Sequence, residues 1–181
     1  MEHNTGGNTG GTARHTEVID VHLLLRRGDT LLLSRRRNTG YADGLLHAPS
    51  GHVEDGEDVR QAVIREAAEE IGLVLRPADL RVALVMQHRG PAGAPRVGWF
   101  FEAWLDADRE PVNAEPDKCS ELAWYPLGAL PDGPGQMVAY CRAGIEAYLA
   151  GERFVLHWHE PDDPVDHDPS RPDRVVPLPA T

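Results

Sequence analysis

The sequence predicts an α/β sandwich with a mixed central sheet. Three observations point there: apolar runs with strand character come first, a strongly periodic helical segment follows them, and further strands and a second helix complete the chain. With 181 residues the chain has the length of one domain.

Val18–Leu25 and Thr30–Ser34 read as apolar strands joined at Gly28–Asp29, a short-range hairpin signal. A polar loop from Arg37 to Gly44 leads to His47–Pro49 and a turn at Gly51. From Asp58 to Ile71 the period becomes helical, with Val63, Ile64, Ala67, Ala68 and Ile71 on one side and Gly72 as the C-terminal stop. Leu80–Gln87 and Val97–Leu105 are predicted strands about the turn-rich segment Gly90–Pro95, and Leu122–Tyr125 adds another. Met137–Leu149 has helical spacing, and Phe154–Trp158 is a short aromatic strand or arm.

Both ends differ in composition. Residues 1–15 form a Gly/Thr/Asn leader too poor in apolar groups to offset the entropy of ordering, and the domain is expected over 16–158. The remainder, 159–181, is an acidic tail whose prolines deny it a regular ladder, so a chain from about Thr16 to Glu160 is expected to keep the chemistry.

A formal charge of −11 opposes binding of a nucleic-acid polymer, whose affinity comes from Lys and Arg on phosphates. Cys119 and Cys141 are too few for a disulfide framework, and no apolar run is long enough for a membrane span. The expectation is a cytoplasmic protein without membrane partners, with a homodimer allowed.

The chemistry concentrates in Gly51-His-Val-Glu-Asp-Gly-Glu57 and Arg65-Glu66-Ala67-Ala68-Glu69-Glu70-Ile71-Gly72-Leu73. On a helix Glu66, Glu69 and Glu70 share one face, and three adjacent carboxylates repel one another unless a hard cation such as Mg²⁺ coordinates them. Glutamates on a helix are by themselves commonly a solvated face; the loop changes that weighting. Gly51 allows a backbone geometry in which a carbonyl can turn to an ion, and Glu57 and Arg65 bracket the helix start as orienting partners.

The stretch resembles the box of the Nudix hydrolases, Gly-x₅-Glu-x₇-Arg-Glu-U-x-Glu-Glu-x-Gly-U, in which U is a bulky aliphatic. Gly51, Glu57, Arg65, Glu66, Glu69, Glu70, Gly72 and Leu73 are in register, and Ala67 stands where an aliphatic is usual. The resemblance implies a Nudix α/β/α sandwich that cleaves a diphosphate linkage in a small nucleotide with Mg²⁺ or Mn²⁺. It implies as metal ligands Glu66, Glu69, Glu70 and the carbonyl of Gly51, with Glu57 and Arg65 as supports. Glu66 is the first choice as base, and Glu121 looks like the extra acid that many members supply as base or ligand.

Arg35 and Arg36 resemble the position from which triphosphate-cleaving relatives reach a phosphate, and strand alternation admits at most one of them to a cleft. The leading activity is conversion of a nucleoside triphosphate, normal or oxidised, to a monophosphate and pyrophosphate. The runner-up is cleavage of ADP-ribose or a nucleotide sugar, for which Pro91 is a near miss in spacing. Trp99, Phe100 and Phe101 could stack on a base but read more readily as core, and His88 could line the cleft. His157 and His159 receive no site, and both cysteines are expected to be inert.

Overall fold

The computed structural model describes residues 15–90, 95–160, 162–171 and 174–179. The leader before residue 15, and Pro91 with most of the Gly90–Pro95 turn, lie outside the described residues.

The strands are β1 (Val18–Arg27), β2 (Thr30–Arg36), β3 (Leu46–His47), β4 (Ser50–His52), β5 (Arg81–Arg89), β6 (Pro95–Trp104), β7 (Cys119–Pro126), β8 (Phe154–Trp158) and β9 (Val175–Pro177). Two helices, α1 (Val59–Ile71) and α2 (Ala139–Leu149), complete the main elements. The sheet runs β3-β2-β1-β6-β5-β8-β9, with β4 also paired to β1 and β7 to β2. It is mixed, because β1 is parallel to β6 and β5 to β8 while the other pairs are antiparallel.

Alternation along the strands divides the core between the two faces. Leu23, Leu25 and Phe101 meet Val63, Ala67 and Ile71 of α1, whereas Leu24, Met86 and Phe100 meet Cys141 and Ile145 of α2. Ala67 is fully buried, so the small residue brings its helix onto the sheet rather than leaving a polar gap. On the other face Gly144 permits contact with Phe100, since a Cβ there would lie 2.5 Å from the ring.

Helix α1 begins with a capping box: Asp58 accepts from the N–H groups of Arg60 and Gln61, and the Gln61 side chain accepts from Asp58 N–H. It ends at Gly72, whose φ of 66° is left-handed. The carboxylate positions are thereby held on a helix with defined ends.

The expected β1–β2 hairpin is present only near its turn. After Arg26↔Leu31 and Arg27↔Thr30 the strands separate, and β4 fills the gap through His22↔Ser50 and Asp20↔His52, with Leu23 N–H donating to Pro49 O at 2.8 Å. This divergence carries Gly51 into the sheet beside β1.

The C-terminal expectation needs correction. Val175–Pro177 pairs antiparallel with β8, Ala139 N–H donates to Val165 O at 2.9 Å, and His167 N–H donates to Met137 O at 2.8 Å. Three-residue strand length and an edge position let the sheet tolerate the prolines, so residues after 159 join the domain instead of leaving it. Truncation after Glu160 is therefore expected to cost on the order of 2–4 kcal/mol, from several backbone hydrogen bonds at about 1 kcal/mol each. Thermal unfolding of the full and shortened chains checks this; an unchanged Tm would show that the segment contributes nothing.

Candidate active site

The loop before α1 and the helix's first turns converge on Arg65. Its Nε and Nη2 donate to the two oxygens of Glu57 at 2.8 and 3.1 Å, and Nη2 also donates to His52 O at 3.0 Å. Nη1 donates to Glu66 at 2.7 Å and Glu69 at 3.2 Å. A planar guanidinium can hold this set because its donors lie in a fixed fork. Hydrogen bonds from Arg65 hold Glu57 below the usual carboxylate range.

Glu66 lies against Gly51. A Cβ on residue 51 would sit 1.9 Å from Glu66 Oε1, so the glycine creates the space that the carboxylate occupies. Burial pushes the Glu66 carboxyl up; Arg65 opposes that rise and Glu69 and Glu115 add to it. Glu70 accepts from Ser50 N–H at 2.9 Å. Burial pushes it up to about 8, offset by that N–H and reinforced by Glu66 and Glu115.

These glutamates form one wall of a cavity of about 900 Å³. Glu115, which the sequence reading did not select, joins them. Its loop is tied to the end of α1 by Val112 N–H to Ile71 O at 3.0 Å and Ala114 N–H to Glu70 O at 3.1 Å. Glu121 is elsewhere: it accepts from Arg35 Nε and Tyr125 Oη, both at 2.6 Å, and is not among the residues lining the cavity. The sequence signal for Glu115 was a loop acid close before β7, but only the tether to α1 distinguishes it from its neighbours.

Arg35 and Arg36 also part company. Ser34 and Arg36, two apart on β2, both line the cavity, while Arg35 is held by Glu121 and Gly44 O. Arg36 is braced by Tyr41 O at 3.0 Å and Thr39 Oγ1 at 3.1 Å. A register shift in the β2–β7 ladder falls between the two arginines.

The opposite wall is imidazole-rich. His22 and His88 line the cavity with Tyr140, and His88 Nδ1 lies 2.9 Å from Nδ1 of His157. Burial, with help from neighbouring imidazoles, lowers His88 to about 3 and His157 to about 4 and holds His22 well below its ordinary value. This wall is consequently neutral near pH 7. Phe100 stacks beneath His22 at 4.3 Å, Phe101 lies in the α1-side core, and Trp99 packs against that core. Cys119 lines the cavity, but burial raises its thiol; Cys141 is pushed up to about 12. Both thiols stay protonated near neutral pH.

Among the described residues no three acidic, histidine or cysteine side chains already surround one point as a closed cage. The glutamates instead present an open face. Its donor chemistry fits a hard divalent cation: oxygen ligands, two carboxyls raised by burial and mutual repulsion, and room secured by Gly51. Gly51→Ala is expected to displace Glu66 and weaken Mn²⁺ binding roughly 10- to 100-fold, as loss of a supporting contact commonly does. Titration of the folded variant with Mn²⁺ checks this; unchanged affinity would separate Glu66 from the cation.

The NUDIX domain family matches residues 15–141. The NAD-capped RNA hydrolase NudC of Stutzerimonas stutzeri is 31% identical over 134 residues, 71% of this chain and 43% of that protein. The human 8-oxo-dGDP phosphatase NUDT18 is 33% identical over 120 residues, covering 63% of this chain and 33% of its own. The chain thus spans less than half the length of these relatives. The crystal structure of a MutT NUDIX hydrolase from Burkholderia pseudomallei superposes with a TM-score of 0.64 at 27% identity, over 73% of this chain and 98% of that one. The family match contains both the carboxylate helix and the loop of Glu115, in a fold shared with a solved member, and the chain belongs to the Nudix hydrolase family.

Proposed function

We propose that this chain hydrolyses nucleoside triphosphates to monophosphate and pyrophosphate, using Mg²⁺ at the carboxylate face. The observation that carries the reading is Arg36, a braced cation on the cavity wall in a chamber otherwise rich in carboxylates. Glu66, Glu69, Glu70 and the Gly51 carbonyl would hold the cation, with Glu115 beside them in the place first expected for Glu121. When bound, Mg²⁺ neutralises phosphate charge and favours attack by water.

The chain's own residues supply the rest. Water oxygen bonds to phosphorus, the bond to the bridging oxygen breaks, and pyrophosphate departs with that bond's electron pair. The proton lost by water passes to a carboxylate, for which Glu66 is the first choice. Arg36 binds outer phosphate oxygens where negative charge collects on the leaving group. Arg65 and Glu57 orient the acidic face without contacting substrate.

A second reading, cleavage of ADP-ribose, a nucleotide sugar or a related dinucleotide, is favoured by the similarity to NudC. The cavity volume also lies toward the upper end of the ~300–1,000 Å³ typical of ligand sites. The charge of −11 favours a small nucleotide over an RNA chain in either case. A non-catalytic binding module is disfavoured by the full set of box glutamates.

Glu70→Gln should keep the fold, because an amide oxygen can still accept from Ser50 N–H, yet lower kcat at least about tenfold by removing a ligand charge. Near-normal turnover of the folded variant at saturating Mg²⁺ would exclude Glu70 as a ligand. For substrate class, phosphate and pyrophosphate release is measured across triphosphates, ADP-ribose, NAD and nucleotide sugars. Arg36→Ala is expected to reduce kcat/KM for triphosphates about tenfold more than for diphosphate-linked substrates, equivalent to about 1.4 kcal/mol, while Arg35→Ala does not discriminate. A parent preference for ADP-ribose with no discrimination by Arg36→Ala would replace the triphosphate reading with the second one.

A further inference from the structure

Away from the glutamates, the cavity contains a second polar feature that the hydrolytic step does not use. Asp20 on β1 is only 5% exposed and lines the chamber. Its Oδ2 accepts from Arg96 Nη1 at 3.0 Å, but its Oδ1 has no hydrogen-bond partner and lies 3.6 Å from His52 Nε2. A buried carboxylate oxygen left unmatched is costly, and it commonly marks a place completed by another molecule.

The surroundings leave space for a flat group. Asp20 pairs across the sheet with Gly98, and the imidazole of His22 and the ring of Phe100 occupy the surface beside that glycine. His22 Nδ1 is likewise buried without a partner. Beneath any ligand at Asp20, then, lies a ring-faced floor rather than a projecting side chain at position 98.

The Arg96–Asp20 pair supplies a donor from the guanidinium followed by two acceptors, Oδ2 and Oδ1. Guanine presents the complementary order on its Watson–Crick edge: an acceptor at O6, then donors at N1 and the exocyclic amine. Hypoxanthine matches two of these positions. Adenine presents a donor where Arg96 requires an acceptor and an acceptor where Asp20 requires a donor.

We infer that Asp20 and Arg96 form a base-recognition corner selecting a guanine-type edge, with the substrate phosphates extending toward Arg36 and the glutamates. The inference rests on the cavity being a nucleotide hydrolase site, as proposed above, but not on which phosphate linkage is cut. Because the contacted edge excludes C8, normal and 8-oxidised guanine are accepted alike.

The test crosses base with linkage. Values of kcat/KM are measured with Mg²⁺ for GTP, ITP and ATP, and for guanosine and adenosine diphosphate sugars, in the parent and Asp20→Asn proteins. The parent should favour guanosine over adenosine at least about tenfold on whichever linkage it cleaves, with inosine between them. Asp20→Asn should remove most of that preference and bring guanosine and inosine together. Equal or better use of adenosine on the cleaved linkage overturns the inference, as does a guanosine preference that persists in folded Asp20→Asn. If that variant does not fold, the GTP:ITP ratio of the parent decides, since inosine deletes one donor without touching the protein; a ratio near one rejects the corner. A guanosine preference confined to diphosphate sugars would refute the triphosphate reading while upholding this one.

Discussion

Several carboxylates must be held close together in a partly dehydrated cleft without driving the local structure apart. Glu66, Glu70 and Glu115 raise one another's proton affinity, and burial adds to the effect. Two features counter that repulsion within the protein. Arg65 spreads its guanidinium over Glu57, Glu66 and Glu69, and Gly51 leaves the volume into which the Glu66 carboxylate fits. The remaining imbalance is the reason a divalent cation suits the face, because a small charge of +2 meets ligands that already converge.

The separation of β1 from β2 gives this face its setting. Had the hairpin continued in register, β2 would have occupied the edge of β1 that now receives β4, and Gly51 could not have reached its place beside Val21. The same opening leaves Arg36 and the acidic helix on one chamber. On its far side, β1, β5 and β6 contribute Asp20, His22, His88 and Arg96, mostly uncharged groups around one buried ion pair. The cavity is thus divided between a region suited to phosphates and metal and a region suited to a ring.

Neutral histidines give the second region its character. Low proton affinity follows from burial among other imidazoles and near Arg96, so His22 and His88 act as flat polar surfaces rather than cations. The chain after residue 141, beyond the family match, contributes to this arrangement. Strand β8 places His157 against His88, and Val165 reaches the cavity wall. A C-terminal segment rich in proline and acid therefore shapes the chamber through a few edge contacts.

Local spacing in the sequence was sufficient for the helix, its Asp58 and Gly72 boundaries, the shared face of Glu66, Glu69 and Glu70, and the supporting roles assigned to Glu57 and Arg65. Each depends on residues within about two helical turns or one adjoining loop, where backbone geometry dictates which side chains meet. Tertiary structure decided the matters that depend on distant chain segments. The register shift beside Ser120 sent Arg36 to the cavity and paired Arg35 with Glu121; a tether to α1 brought in Glu115 instead. Likewise, the pairing of β5 with β8 put His157 behind His88, and the edge of β8 captured residues 175–177. Composition carries no record of such contacts, because they arise from strand register and long-range packing rather than from the preferences of neighbouring residues.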